Sequence, residues 1–241
     1  LGRASVAHAL ENAHQQLVLM SSGELTMPRA AEWFVDNYYL VRRVARQIQE
    51  DLPAGFIRHL PAIASGPAGG RLRIDVVARE LIAQANVELD TAALRSFIEA
   101  YQQVTPFTIA ELWALPTLLR TCILHHLVRF LDELHIAIRG DENSREPPPS
   151  PAERVALDPG VGVECSIRAL RLLDVVDWKA FFENTNHVEA ILRTDPAHVY
   201  ERMDFGTCDS YRRVVETLSW ATGRSEESIA DLAITLAAED S

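Results

Sequence analysis

Apolar residues return every three or four positions along nearly the whole chain, and no stretch alternates apolar with polar as a half-buried strand would. From Pro28 to Asp51, Trp33, Val41, Val44 and Ile48 recur on one face, with Asn37 and Leu40 between them and Arg42, Arg43, Arg46 and Gln47 around it. Pro28 suits a first helical turn, and Pro53 stops the helix. Ile74, Val77, Leu81 and Ile82 repeat the pattern over residues 73–87, and Leu94, Phe97, Ile98 and Tyr101 over 91–104, with Asp90 as N-cap. Thr108-Ile109-Ala110-Glu111 is a capping box opening a helix that runs to about Ile138, with Pro116 either a kink or part of a displaced first turn. An earlier helix is expected over Ser5–Met20. No repeat of fixed period is present.

Residues 140–162 interrupt the pattern with Pro147-Pro148-Pro149, Pro151 and Asp158-Pro159-Gly160, and read as a Pro-rich linker. Beyond it, helices are expected over 165–176, 178–193, 210–221 and 225–238. Asp195 and Ser225 serve as caps, and Glu226 and Glu227 complement the positive end of the last helix. The expected fold is all-α, a multi-helix bundle of two packed halves: residues 1–139, the linker 140–162, and an acidic half 163–241.

The charge is divided along the same line. Residues 1–139 carry 13 Arg and 14 Asp or Glu, a balance of −1; residues 140–241 carry 10 basic and 20 acidic groups, a balance of −10. A phosphate backbone is repelled by the second half and not drawn to the first, so nucleic acid is not an expected partner. An anionic leaflet is disfavoured for the same reason. No apolar run approaches the ~18 residues of a membrane span. Leu1 in place of Met suggests a piece of a longer protein. Cys122, Cys165 and Cys208 are far apart and odd in number, which suits buried thiols in a reducing compartment better than disulfides or zinc.

Few residues carry chemistry by spacing alone. Glu11-x-x-His14 and Asp132-x-x-His135 each put a carboxylate and an imidazole on one helical face, as di-iron bundles do, with Glu32, Glu80 or Glu111 available to complete a site. The same spacing arises on ordinary solvated faces, and no metal or other cofactor is expected. His125-His126 sits in an apolar helix, where one ring must face the core. Gly66-Pro67-Ala68-Gly69-Gly70 lacks the Lys-Ser/Thr ending of a phosphate loop, and no Gly-x-Ser-x-Gly elbow occurs. Acids suited to glycoside chemistry are abundant, yet none is singled out. Trp33, Tyr38, Tyr39, Trp113, Trp178 and Phe181-Phe182 have the makings of a sugar-stacking platform, although their spacing among aliphatics fits core packing better.

Three ordered blocks resemble one family. The first is Trp33-Phe34-Val35-Asp36-Asn37-Tyr38-Tyr39 with Arg46-Gln47-Ile48-Gln49-Glu50-Asp51-Leu52-Pro53. The second is Phe97-Ile98-Glu99-Ala100-Tyr101-Gln102 with Thr108-Ile109-Ala110-Glu111-Leu112-Trp113-Ala114-Leu115-Pro116. The third is Ser166–Leu173 and Asp177–Glu183, ending at Met203-Asp204-Phe205-Gly206-Thr207-Cys208-Asp209-Ser210-Tyr211-Arg212. Together they resemble the N-terminal region of the cyclic β-1,2-glucan synthases, very large bacterial inner-membrane proteins, from about Ala31 onward. The family usually has Ala-Thr-Arg-Asp where this chain has Gly206-Thr207-Cys208-Asp209, so any role of that basic position is lost here.

The resemblance implies a parent that builds a β-1,2-linked glucan from UDP-glucose and cyclises it. The glucosyltransferase and cyclising regions of such a parent lie elsewhere, and the sequence here contains neither an Asp-x-Asp pair nor a Gln-x-x-Arg-Trp motif. No catalytic, cofactor-binding or metal-binding residue is therefore carried over. What the resemblance implies is a non-catalytic module on the cytoplasmic face of the inner membrane, whose partners are the other domains of the same synthase. The alternative is a glycan-binding or carbohydrate-active domain using Asp/Glu pairs. Arg42, Arg43, Arg168, Arg171, Arg212 and Arg213 lie in or beside the blocks, as do Asp36, Glu50, Asp177, Asp204 and Asp209. At least one Arg before the linker is expected to pair with an acid after it.

Overall fold

The computed structural model describes residues 3–21, 27–134, 155 and 157–239. Among these, the chain forms α1 (Arg3–Ser21), α2 (Arg29–Asp36), α3 (Tyr38–Asp51), α4 (Ala54–Ile57), α5 (Arg73–Gln84), α6 (Thr91–Gln102) and α7 (Ile109–Glu133). It continues with α8 (Pro159–Val175), α9 (Trp178–Thr185), α10 (His187–Leu192), a 3-10 turn at Tyr200–Arg202, α11 (Phe205–Thr222) and α12 (Glu226–Glu239). The only β pairing among the described residues is one isolated bridge, Ala62 to Leu72. The all-α expectation is met.

The chain divides into two compact units, residues 1–94 with 114–176 and residues 95–113 with 177–241. Their bounds differ from the expected 1–139 and 163–241: α8 packs on α2 and α3 within the first unit. Most of the expected linker, residues 140–154, lies outside the described residues. Its last part is helix. Asp158 accepts from the backbone N–H groups of Gly160 and Val161, Pro159 takes the first helical position, and α8 starts there.

In the first unit the core runs along α7, whose residues Leu115, Leu119, Ile123, Leu127, Phe130 and Leu131 are completely buried. A helix apolar on all sides belongs at the centre of its neighbours. Pro116 lies inside this helix. Its expected extension to Ile138 falls outside the described residues. Gly162 of α8 faces Phe130 so closely that a Cβ would sit 2.5 Å from a ring carbon, so only glycine fits this crossing. Arg120, 5% exposed, donates from Nη2 to the Leu173 carbonyl at 2.9 Å and so ties α7 to the end of α8.

Two helices expected to be continuous are each broken at an asparagine. Asn37 separates α2 from α3: its Nδ2 donates to the Trp33 carbonyl at 2.7 Å, and its Oδ1 accepts from the Arg171 guanidinium of α8. Asn186 separates α9 from α10, its Oδ1 accepting from the Glu189 N–H at 3.1 Å as an N-cap. A short amide side chain that bonds nearby backbone offers the chain an alternative to continuing the helix. In both places the side chain is buried.

In the second unit, α10 and α11 pack on α12, and α9 packs on α10. Gly223 ends α11 in the left-handed conformation at φ 69°, its N–H on the Ser219 carbonyl. The capping box forms as the sequence implies: the Thr108 N–H donates to Glu111 at 2.9 Å, and the Glu111 N–H donates to Thr108 Oγ1 at 3.2 Å.

Candidate functional site

Trp113, Phe182, Phe205 and Arg212, from the family-like blocks of the second unit, gather with Glu189, Arg193 and Tyr200 at a buried node. The Glu189 carboxylate, 1% exposed, accepts from Arg212 Nη1 at 2.7 Å, Arg193 Nε at 2.7 Å and the Tyr200 hydroxyl at 2.8 Å. Arg212 is fully buried. Its guanidinium lies 5.1 Å from the Phe182 ring centroid and 4.7 Å from that of Phe205, and Trp113 stacks on Phe182 at 4.6 Å. Burial on its own would raise the Glu189 pKa. The bonds from Arg193, Arg212 and Tyr200 outweigh it and hold the carboxyl below its usual range. Burial and the Glu189 carboxylate push the Tyr200 phenol far upward, so it stays a neutral donor. An ion pair so enclosed positions helices rather than substrate.

Around the node, Asp204 and Asp177 act as caps rather than Arg partners. Asp204 accepts from the N–H groups of Gly206 and Thr207, and Asp177 from that of Ala180. Cys208, at the position where the family usually carries arginine, is buried, with its Sγ 3.7 Å from the Tyr200 carbonyl. Arg213 pairs with Asp209 at 2.9 Å on the surface. Trp113 is half-buried against Phe182 and Phe205 rather than fully in the core.

In the first unit, Arg43 of α3 pairs with Asp174 of α8, so the expected pairing across the linker is present. Arg168 lies 3.5 Å from Glu88, with the buried Cys165 thiol beside both. Asp36 and Glu50 are exposed.

One open groove lies between α1 and α3, with a volume of about 220 Å³. Its floor is apolar, from Leu10 and Val41, and its walls carry Glu11 from α1 and Tyr38, Arg42, Arg46 and Gln49 from α3. The α3 residues are spaced four, four and three apart, which places them on one helical face. His14 stacks on Tyr38 with ring centroids 3.9 Å apart. Burial lowers the His14 pKa despite the raising effect of Glu11, so the imidazole is neutral at pH 7. Burial and Glu11 raise the Tyr38 pKa.

The metal motifs do not come together. Glu11 and His14 face Tyr38 and the groove, Glu80 accepts from Gln84 at 3.0 Å, Glu111 is occupied in the capping box, and Glu32 and Asp132 are exposed. His135 lies outside the described residues. No group of three metal-ligating residues occurs among the described ones. The ring nitrogens of His125 are buried, and His126 stacks on Phe130 at 6.2 Å. The aromatics of the supposed platform are divided between the two units. Tyr39 is exposed, Trp178 meets Phe181 edge-on, and Phe181 and Phe182 are core residues.

Sequence reasoning placed Arg212 near an acid but missed Glu189. The signal available was an acid, Glu189, between the apolar residues Val188 and Ala190 and next to the Asn186 break. The groove was missed because Leu10 and Tyr38, 28 positions apart, meet only through helix packing.

No protein-family model matches the chain. It is 24% identical over 275 aligned residues to the cyclic β-(1,2)-glucan synthase NdvB of Rhizobium meliloti (strain 1021), covering 87% of this chain and 10% of that protein. No helix among the described residues is long and apolar enough to cross a membrane. The chain is thus similar, along most of its length, to a stretch that makes up about a tenth of a cyclic β-(1,2)-glucan synthase.

Proposed function

We propose that this chain is a non-catalytic helical module of a cyclic β-(1,2)-glucan synthase. It packs on the glucosyltransferase part of a larger protein, supporting or regulating it, on the cytoplasmic face of the bacterial inner membrane. The observation that carries this reading is the similarity to NdvB, which spans 87% of this chain and only a tenth of that protein. A segment of that size leaves most of the relative to hold the transferase and cyclising chemistry. The buried Glu189–Arg212 node supports it further, because Arg212, a charge within the family-like blocks, is spent on holding helices together.

Activity measurements test the reading. The purified chain is expected to turn over neither UDP-glucose nor linear β-1,2-glucan. Deleting the matching stretch from NdvB is expected to abolish most glucan output, with partial recovery when the stretch is supplied as a separate chain. Steady turnover by this chain, lost on changing one Asp or Glu, or unchanged output after the deletion, overturns it.

A further inference from the structure

We propose that the groove between α1 and α3 binds one sugar unit of a β-glucan chain, held by Tyr38, Arg42, Arg46 and Gln49 with Glu11 as acceptor. Three observations on the groove select this ligand.

Size comes first. A volume of about 220 Å³ lies below the ~300 Å³ at which pockets begin to hold drug-sized molecules. There is room for a single sugar ring, and the open side of the groove leaves space for the rest of a chain.

The second observation is the donor set. A hexose ring is apolar on its faces and ringed by hydroxyls that both donate and accept. Leu10 and Val41 give the groove an apolar floor, and the Tyr38 ring edges it. Arg42 and Arg46 offer planar N–H forks, Gln49 a donor and an acceptor, and Glu11 acceptors only. That combination answers a vicinal diol, in which one hydroxyl accepts from a guanidinium while the next donates to a carboxylate.

Charge is the third, and it favours a sugar over a phosphate. Both would meet two guanidinium groups, but Glu11 lies in the same groove, offsets one of those charges and accepts from a hydroxyl, which a fully ionised phosphate cannot supply. The neighbouring Arg43 adds little positive potential, since its charge is engaged by Asp174. The His14 ring stacked on Tyr38 is neutral at pH 7 and adds none.

This site rests on the proposed function only for the choice of glycan, and the two fail separately. A groove that binds no sugar leaves the NdvB deletion result untouched. The test is calorimetric titration of the whole chain with a linear β-1,2-linked glucan oligosaccharide, and in parallel with inorganic pyrophosphate. A dissociation constant of about 0.1–1 mM is expected for the oligosaccharide, near the weak end of specific binding. It should change little between low and high salt, because a neutral ligand is not screened. Arg42→Ala and Arg46→Ala should each weaken it roughly ten-fold, the effect of losing one charge-assisted hydrogen bond. Both residues are exposed, so the melting temperature should hold and report an intact fold. Absence of oligosaccharide binding, binding by either Arg variant as tight as that of the unchanged chain, or salt-sensitive pyrophosphate binding in its place each overturns the proposal.

Discussion

Arg212 and Glu189 form the most enclosed ion pair in the second unit, and its worth follows from what removal would leave behind. With Arg212 replaced by Met, Glu189 keeps Arg193 and Tyr200 but loses the partner that is fully buried. Breaking one side of a buried pair costs about 3–5 kcal/mol, because the remaining charge has no water. Arg212→Met and Glu189→Gln should each lower stability by that order in urea denaturation. The double variant should lose clearly less than the sum, since neither orphan then exists. Strict additivity would show that the two do not act as a pair. In the first unit, Gly162 is limited by space rather than charge. A methyl at 2.5 Å from the Phe130 ring forces the ring or α8 to shift, and Gly162→Ala should destabilise by about 1–3 kcal/mol. Adding Phe130→Leu should recover part of that loss, and no recovery would place the strain elsewhere.

At the scale of elements, the start of α12 meets the start of α7. Glu226 accepts from the Ile109 N–H at 2.8 Å, and it occupies the first position of its own helix. Two helix N-termini favour its charged form. Burial opposes it more strongly, with Glu111, Glu216 and Glu227 adding like charge, and the carboxyl is pushed up to about 7 from its ordinary value of 4.5. The folded state therefore holds a proton that the unfolded chain releases earlier. This contribution to stability is fully present below pH 4.5 and is lost as the pH rises to about 7. Glu189 works in the opposite direction: its carboxyl is held low, so its contribution is present above the ordinary carboxylate range and lost on acidification. Between pH 5 and 8 the Glu226 effect governs, and stability measured by urea denaturation should fall across that window. Glu226→Gln should flatten the profile, and parallel profiles for the two proteins would exclude this role of Glu226.

For the whole molecule, the division into units has a consequence for truncation. A chain ending at residue 139 keeps α1 through α7 but lacks α8, so Ala31 and Phe34 of α2 and Phe130 of α7 lose cover. Each large side chain exposed costs about 1.5–3 kcal/mol. Residues 1–139 alone should therefore melt without a sharp transition, or roughly 10 °C or more below the full chain, as followed by circular dichroism. A cooperative transition at the full-chain temperature would restore the linker boundary. The same arrangement explains how Arg43 reaches Asp174 across 131 positions: both belong to one unit.

Helical class, the positions of most helices, the caps at Thr108, Asp90 and Ser225 and the family-like blocks were all legible in the sequence. Each depends on residues within about one turn of each other, where periodicity and side-chain-to-backbone bonds operate. The sequence also indicated that an Arg before the linker would meet an acid beyond it, because planar forks need partners. It did not indicate which acid. Tertiary structure alone decided that Asn37 and Asn186 stop helices, since each break is stabilised by burying an amide against neighbours that propensity does not see. It also decided that α8 joins the first unit, that Glu189 gathers three donors, and that Glu11 comes to face Arg42 and Arg46. These outcomes depend on which apolar faces cover one another, and residues far apart in the chain share no local signal of that choice.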